Sequence, residues 1–280
     1  MIGIYIILSL SLNLLVGYGG LLSIAHAAFY GIGAYVYTLV LINWGLPFWL
    51  AMIIAILGTS IIALIIAYPT LRLKGDYFIL ATIGLQMIVF DILYNWVNLT
   101  RGPYGIPGIP RASLFGLEFR SIPTNLFLVA VLTILVVLFS KGLYDSPFGR
   151  ILKSIREDET ASKAMGKNTP KVKIWSFVVA CGIAAIAGAL YSSYITYIDP
   201  TSFTIDESIF IICVILVGGS GNLKGPIVGA VFMIILPELL RFVGLPDTIA
   251  PNVRQIIYAL TLILLMFFRP QGIAGEYKLK

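Results

Sequence analysis

The sequence predicts an all-α integral membrane protein, a polytopic bundle of about nine transmembrane segments. Two observations predict this class: 59% of the 280 residues are hydrophobic and 11% charged, and the mean hydropathy is +0.97. Soluble domains carry about 25% charged residues. A membrane barrel would show segments of roughly 10 residues alternating apolar and polar, whereas these runs are apolar on every face.

Most of the predicted segments approach the roughly 20 residues that span a bilayer as a helix. The segments are 1–16, 25–43, 47–67, 77–98, 124–141, 174–198, 205–217, 225–243 and 253–268. Two of them are short, because at about 1.5 Å per residue 1–16 reaches roughly 24 Å and 205–217 roughly 20 Å. Segment 1–16 lacks the basic start of a cleaved signal peptide, so we expect it in the mature protein. The whole chain, 1–280, is predicted to form one transmembrane domain.

Both short segments run directly into glycines. The stretches "LVGYGGLL" and "LVGGSGNL" share their spacing and occupy corresponding parts of the two halves of the chain. Helices broken near the bilayer centre are tolerated where they line an interior, and paired breaks point to a translocation path. The alternative is close helix packing through small residues, especially for Gly225 with Gly229 and for Ala184 with Gly188. The glycines of the predicted path are Gly17, Gly19, Gly20, Gly218, Gly219 and Gly221.

Charged residues predict the orientation in the membrane. The charged strip, residues 145–173, holds 7 of the 19 basic and 4 of the 13 acidic residues, and short basic loops face the cytoplasm. Counting crossings from the strip puts 68–76 and the C-terminal tail inside, and 44–46, 199–204 and 244–252 outside. The outer loop 99–123 carries three arginines, which weakens this assignment of inner and outer loops. The pI of about 9.2 then reflects orientation and indicates no nucleic-acid partner.

The charged strip is predicted to fold as two short helices. Ser146 before Pro147 forms an N-cap, the acidic run at 157–159 suits the start of a second helix, and Gly166 ends it. Thr169 with Pro170 is expected to cap the next helix. The alternative is a solvated hairpin that only fixes orientation.

Few polar residues lie within the apolar segments, so each is a candidate for the path. A charge at the bilayer centre costs roughly 2.5 to 3.5 kcal/mol, which makes Asp91 the strongest anomaly; it could contact substrate, hold a partner helix or lie near the outer boundary. His26 is the only histidine, and packing is the alternative to a proton relay. The polar path candidates are Asn13, Ser23, His26, Gln86 and Asp91.

Five stretches carry a family resemblance: "NLLVGYGGLLSIAHAAFYGIGAY", "LRLKGDYFILATIG", "TRGPYGIPGIP", "GRILKSIREDETASKAMG" and "ILVGGSGNLKGPIVGA". In combination and order they resemble the branched-chain amino-acid permeases of ABC importers, most closely the M-type subunit. Relatives of this type have more hydrophobic sequence before the first motif. The strip, with about 142–173 as its loop, is similar to the coupling loop that docks on a cytoplasmic ATPase. The resemblance implies ATPase-coupling roles for Arg150, Ser154, Arg156, Glu157, Asp158, Ala161, Met165 and Gly166.

The resemblance also implies the partners and the compartment. These are a second permease subunit, two cytoplasmic ATPase subunits and an extracytoplasmic substrate-binding protein, assembled in the lipid of a prokaryotic cytoplasmic membrane. ATP and Mg would be bound by the ATPases, because "GGSGNLKG" lacks the Lys followed by Ser or Thr of a P-loop. The expected substrate is a branched-chain amino acid, but the resemblance extends to carriers of other small amino acids, urea and short amides.

Two other functional classes were weighed. An intramembrane enzyme would need a nucleophile and a base, and the only nearby pair, Ser23 with His26, has no orienting acid, so no catalytic residue is predicted. A secondary transporter or channel for a small polar solute is the alternative; it would carry ionisable coupling groups or filter rings, of which this chain has few. Cys181 and Cys213 are expected to act as small hydrophobic residues, with no disulfide or metal site.

Overall fold

The computed structural model describes residues 1–73, 75–114, 117–118, 122–241, 250–269 and 271–274. The helices of these residues are α1 (Ile2–Asn13), α2 (His26–Trp44), α3 (Phe48–Thr70), α4 (Asp76–Asn95), α5 (Val97–Thr100), α6 (Ile122–Asp145), α7 (Pro147–Glu157), α8 (Glu159–Ala164), α9 (Thr169–Ile195), α10 (Ile205–Gly218), α11 (Lys224–Arg241) and α12 (Ala250–Phe268). A π-helical turn, Leu14–Tyr18, extends α1, and 3-10 turns cover Gly102–Tyr104 and Pro200–Phe203.

Each predicted apolar segment overlaps at least one of these helices, which confirms an all-α membrane protein. Segment 77–98 overlaps both α4 and α5, and segment 174–198 extends three residues past the end of α9. In the described part of the chain, five helices are long and apolar enough to cross a bilayer: α2, α3, α4, α6 and α9. Crossing by the remaining segments stays a prediction. Lys74, Arg120, Lys278 and Lys280, which entered the orientation argument, and most of the predicted loop 244–252 lie outside the described residues.

The centre of the molecule is the pair α2 and α9, which approach each other closely. A Cβ on Gly188 would lie 2.4 Å from the carbonyl oxygen of Tyr30, and one on Gly33 would lie 2.4 Å from the Cα of Ala185. Small residues let two membrane helices meet through their backbones, where packing replaces the missing hydrophobic driving force. The expectation of small-residue packing at Gly188 is confirmed.

The helices α3, α4 and α6 surround this centre and present apolar side chains outward. Leu57, Ile65 and Leu80, for example, are exposed by 57%, 68% and 63%. Apolar side chains facing outward from long helices are what a lipid solvent or a second membrane subunit requires.

The helix α9 extends from the charged strip toward the long loop 99–123. The 27 residues of α9 extend roughly 40 Å at about 1.5 Å per residue. Beyond its C-terminal end, β4 (Tyr197–Ile198) pairs antiparallel with β1 (Ile106–Pro107) of the long loop, and β2 (Ser113–Leu114) pairs with β3 (Leu117–Glu118). The described part of the long loop and the strip therefore lie at opposite ends of α9, in agreement with the predicted orientation.

Candidate functional site

The first glycine group lies where α1 and its π-helical turn end. A Cβ on Gly17 would lie 2.0 Å from Oδ1 of Asn13 and 2.7 Å from the amide nitrogen of Gly221. Gly19 faces the carbonyl of Leu15 in the same way, at 2.8 Å. Gly20 has a φ of +64°, in the left-handed region that side chains disfavour. Glycine is needed here for close approach at Gly17 and for backbone conformation at Gly20.

The second glycine group lies where α10 ends. Gly219 and Gly221 have φ angles of 100° and 89°, so the chain turns there in conformations that favour glycine. Gly218 is held by contact instead: its Cβ would lie 2.0 Å from the carbonyl oxygen of Gly225 and 2.8 Å from the amide nitrogen of Gly229. Close packing through Gly225 and Gly229, the alternative raised from the sequence, is what the structure has.

Asn13 joins the two glycine groups. Its Oδ1 accepts from the amide of Gly221 at 3.0 Å, and its Nδ2 donates to the carbonyl of Asn222 at 2.9 Å and to the hydroxyl of Tyr144 at 3.5 Å. We call residues 13–20 with 217–222 the glycine junction. The sequence placed these motifs in corresponding positions, and the structure brings them into contact.

Residues 272–274 pack against the glycine junction at the C-terminal end of α10. The amides of Ile273 and Ala274 donate to the carbonyls of Val217 and Gly218, both at 2.9 Å, and Nδ2 of Asn222 donates to the carbonyl of Ala274. The last carbonyls of a helix have no partner within it. The end of α10 is therefore satisfied by protein.

The first helix of the charged strip packs on the protein core. Its N-cap is Ser146, as predicted, whose side chain accepts from the amide of Gly149 at 3.3 Å. Leu152 and Ile155 are buried. Ser154 donates to the carbonyl of Ile151 and accepts from Ser162 of α8, so the two short helices are joined.

Arg156 connects α7 to the glycine junction. Its guanidinium donates to the carbonyl of Gly17, and its side chain lies against Gly20. One helical turn before it, the ammonium of Lys153 lies 4.8 Å from the centre of the Tyr18 ring, which stacks on Tyr144 at 4.0 Å. A cation against carbonyl oxygens and aromatic faces at a helix end is electrostatically favourable.

The second helix, α8, and the residues that flank it present predicted coupling residues to solvent. Asp158 is its N-cap and accepts from the amide of Ala161 at 2.9 Å. Gly166 follows its end with a φ of +75° and open space around it, which confirms the predicted stop. Met165 is exposed by 65%. Asp158, Ala161 and Gly166 are also exposed, as are Arg150 and Glu157 of α7.

Glu159 fixes α8 to the start of α9. Its carboxylate accepts from Lys173 at 2.6 Å and from Lys163 at 2.9 Å. Partial burial raises the pKa of this carboxyl, but the bonds from Lys173 and Lys163 outweigh burial and leave the pKa at about 2. The next helix is capped by Asn168, one residue before the predicted Thr169, because the Asn168 side chain accepts from the amide of Lys171.

Gln86 and Ser23 act within the protein interior. Oε1 of Gln86 accepts from the amide of Ala28 at 2.8 Å and from the hydroxyl of Ser208 at 3.1 Å, and Nε2 donates to the carbonyl of Phe203 at 2.7 Å. The bond from the Ala28 amide satisfies one of the first amides of α2, which have no helical partner. Ser23 is buried and accepts from the amide of Ala25 at 3.4 Å.

His26 and Asp91 lie in contrasting environments. His26 is buried, with Nε2 bonded to the hydroxyl of Ser11, and its Nδ1 has no hydrogen-bond partner among the described residues. Asp91 is exposed on α4, about one turn before the helix ends at Asn95. That position agrees with the outer-boundary alternative. A role for either in a path stays a prediction.

Two residues that complete the junction were not singled out from the sequence. Tyr144 donates to the carbonyl of Leu10 at 2.8 Å, and Asn222 accepts from the amide of Gly225 at 2.7 Å. Asn222 stands inside "GGSGNLKG", so a polar side chain within a glycine-rich turn was the available signal.

Among the described residues, no group of three or more His, Cys, Asp or Glu could hold a metal ion.

Comparison with known proteins identifies the family. Residues 1–266 match the family described as branched-chain amino acid transport system / permease component. The chain is 34% identical to the high-affinity branched-chain amino acid transport system permease protein LivM of Salmonella typhimurium, over 96% of this chain and 67% of the relative. It is 29% identical to a probable LivM of Methanocaldococcus jannaschii, over 81% of this chain and 68% of the relative.

A second kind of permease is also similar. The high-affinity branched-chain amino acid transport system permease protein LivH of Salmonella typhimurium is 25% identical, over 97% of this chain and 91% of the relative. No solved structure matches the chain. Since the family match covers nearly all of the residues, the chain belongs to the branched-chain amino acid transport system permease family and is a permease subunit of an ABC importer.

Proposed function

We propose that this chain pairs with a second, LivH-like permease to carry branched-chain amino acids across a prokaryotic cytoplasmic membrane. Two ATPase subunits would lie below the permease pair, one of them docked on the charged strip of this chain, and an extracytoplasmic binding protein would deliver the substrate. ATP and Mg would be held by the ATPases, and this chain would bind no cofactor. The names of the relatives support the substrate and the second permease.

The bond from Arg156 to the carbonyl of Gly17 carries the coupling part of the proposal. The charged strip has one face anchored to the glycine junction and another, on α8, exposed. A docked ATPase that moved α8 would move α7 with it, because Ser162 bonds Ser154. Arg156 would then displace the backbone of the first glycine group.

The glycine junction would be the cytoplasmic gate of the path. Its two glycine groups are in backbone contact, so no flexible side chain would absorb a displacement, and packed contacts tend to switch between discrete arrangements. Separating Gly17 from Gly221 would break the bond that Asn13 makes to Gly221. The gate would open when the charged strip pulls the first group away from the second.

The coupling contact can be tested by adding bulk directly after α8 in the reconstituted complex. Gly166→Trp should uncouple or detach the ATPase, because the new side chain would occupy the docking surface. Gly45→Trp is the matched control, because Gly45 also follows a helix end, has a φ of +60° and has open space around it. Gly45 follows α2, at the end of the molecule opposite the charged strip. Both variants therefore carry similar backbone strain.

The measurement is ATPase co-purification and substrate-stimulated ATP turnover in proteoliposomes. Loss of both with Gly166→Trp and retention with Gly45→Trp would support the docking surface. If Gly166→Trp keeps co-purification and turnover at the wild-type level, the strip is only an orientation signal and the coupling proposal is wrong.

A further inference from the structure

A cavity that the sequence did not indicate lies beside the first turn of α10. Its volume of about 850 Å³ falls in the roughly 300 to 1,000 Å³ range of small-molecule sites. Residues of α1, α2 and α9 to α12 line it, together with Met1, Thr201 and Ser202. Because Thr201 and Ser202 follow the C-terminal end of α9, the cavity lies toward the end opposite the charged strip.

Aromatic rings form its apolar walls. Tyr5 packs edge-on against Phe210 at 5.3 Å between ring centroids, and Phe210 lies 5.0 Å from Tyr258. Tyr30 and Tyr191 form a second edge-on pair at 5.6 Å. Rings fixed by such contacts offer apolar surface to an aliphatic group and a negative face to a cation.

Carboxylates supply the polar part of the lining. Oε1 of Glu207 accepts from the hydroxyl of Tyr5 at 2.7 Å, and Asp206 and Glu238 also line the cavity. Among its described lining residues there is no Lys or Arg side chain. A carboxylate held at an apolar wall favours a ligand with a positively charged, hydrogen-bonding group.

The first turn of α10 supplies donors beside these carboxylates. This helix of 14 residues begins without a side-chain hydrogen bond at its N-cap, Thr204, which lines the cavity with Asp206 and Glu207. The first amides of a helix lack helical partners and favour a negative group. An α-amino acid bears its ammonium and carboxylate on one carbon, so a single helical turn can meet both.

We propose that this cavity is a binding site for an aliphatic α-amino acid, in which Glu207 binds the ammonium group and the first-turn amides of α10 meet the carboxylate. The aliphatic side chain packs against Phe210 and the tyrosine rings. The identity of the ligand rests on the proposed function. Glu207 and Tyr5 are then substrate-binding residues of the path, above the glycine junction.

Protection of Cys213 tests the site directly, because this partly buried thiol lines the cavity. The assembled complex is treated with N-ethylmaleimide, and alkylation of Cys213 is followed by mass spectrometry. Leucine should slow the reaction several-fold. Glu207→Gln should raise the leucine concentration needed by at least about tenfold, since a hydrogen bond to a charged group is worth about 1.5 to 3 kcal/mol.

Two further variants make the result specific. Tyr5→Phe keeps the ring but releases the carboxylate and should shift the leucine requirement in the same direction by a smaller factor. Asp76→Asn removes a carboxylate from the first turn of α4, outside the cavity, and should behave as wild type. Isopentylamine should protect in a Glu207-dependent manner, whereas 4-methylpentanoate, which lacks the ammonium, should protect far less.

Several outcomes would overturn the inference: no protection of the wild type by saturating leucine, equal protection in Glu207→Gln and wild type, or equal protection by 4-methylpentanoate and leucine. Protection by added phospholipid alone would identify a lipid site instead. Leucine uptake by the same complex is measured separately. Leucine uptake without protection of Cys213 would contradict the binding site but not the transport function. Glu207-dependent protection by isopentylamine without leucine uptake would support the site but contradict leucine as the substrate.

Discussion

The glycine junction and the charged strip meet at Arg156 but are built on different physical terms. In the junction, backbone faces backbone: Gly17 touches Gly221, and Gly218 touches Gly225. In the strip, exposed side chains surround two short helices, and α8 is fixed by the ion pairs of Glu159. The packing of the junction depends on side-chain volume, whereas the position of α8 in the strip depends on charged groups in contact with solvent.

This difference sets the size of the effects that substitutions should have. Inserting atoms into a close-packed contact costs typically 1 to 3 kcal/mol and sometimes more, because neither side can yield. An exposed ion pair contributes only about 0 to 1 kcal/mol. A steric change in the junction should therefore disable the protein, and a charge change in the strip should tune it.

The largest effect is expected for Gly218→Leu. Even a Cβ at this position would lie 2.0 Å from the carbonyl oxygen of Gly225, so α10 and α11 would have to separate, at a cost of about 3 kcal/mol or more. We expect loss of uptake and a lower melting temperature of the purified complex. Gly84→Leu is the matched control, because Gly84 also lies in a long apolar helix but has nothing within 4 Å of its Cβ position. Equal melting temperatures for the two variants would contradict a junction determined by volume.

Sequence alone predicted the local features of both regions and missed the contacts between them. Ser146 and Gly166 were identified because caps and stops depend on neighbouring residues. The bond between Asn13 and Gly221 joins residues 208 positions apart, and no local pattern encodes it. The exposure of Asp91 was also undetermined, since an apolar helix without a polar face gives no periodicity from which to orient it. The cavity at Glu207 is formed by six helices. Its one signal in the sequence is the pair of acidic residues at the start of a short apolar segment.

An intermediate effect is expected for Arg156→Gln, which tests the link between the two regions. The variant removes a charged hydrogen bond to the carbonyl of Gly17, an interaction worth about 1.5 to 3 kcal/mol. The helices of the strip remain, so ATPase co-purification should persist while uptake per ATP hydrolysed falls several-fold. Arg150→Gln should lower this ratio less, because among the described residues the Arg150 guanidinium bonds within the strip, to the carbonyl of Asp145 at 3.1 Å.

Two results would separate the regions instead of linking them. Wild-type uptake per ATP in Arg156→Gln would mean that the strip does not act on the junction through this bond. An equal loss in Arg150→Gln and Arg156→Gln would assign the effect to the charge of the strip and not to the contact with Gly17.

The smallest effect is expected at Glu159, where the strip depends on charge. Because the folded pKa of about 2 lies below the ordinary value of 4.5, the contribution of this carboxylate is fully present above about pH 4.5 and is lost as the pH falls through about 2. Its partial exposure limits the contribution to about 1 kcal/mol or less. Near neutral pH, Glu159→Gln should therefore speed hydrogen exchange of the α8 amides a few-fold relative to wild type. The difference between variant and wild type should shrink as the pH is lowered from about 4.5 toward 2. Glu157→Gln, which removes an exposed carboxylate outside these ion pairs, is the control. A difference that grew on acidification would have the wrong sign for a depressed carboxylate pKa, and a difference that stayed constant down to about pH 2 would show that the charge of Glu159 does not fix α8.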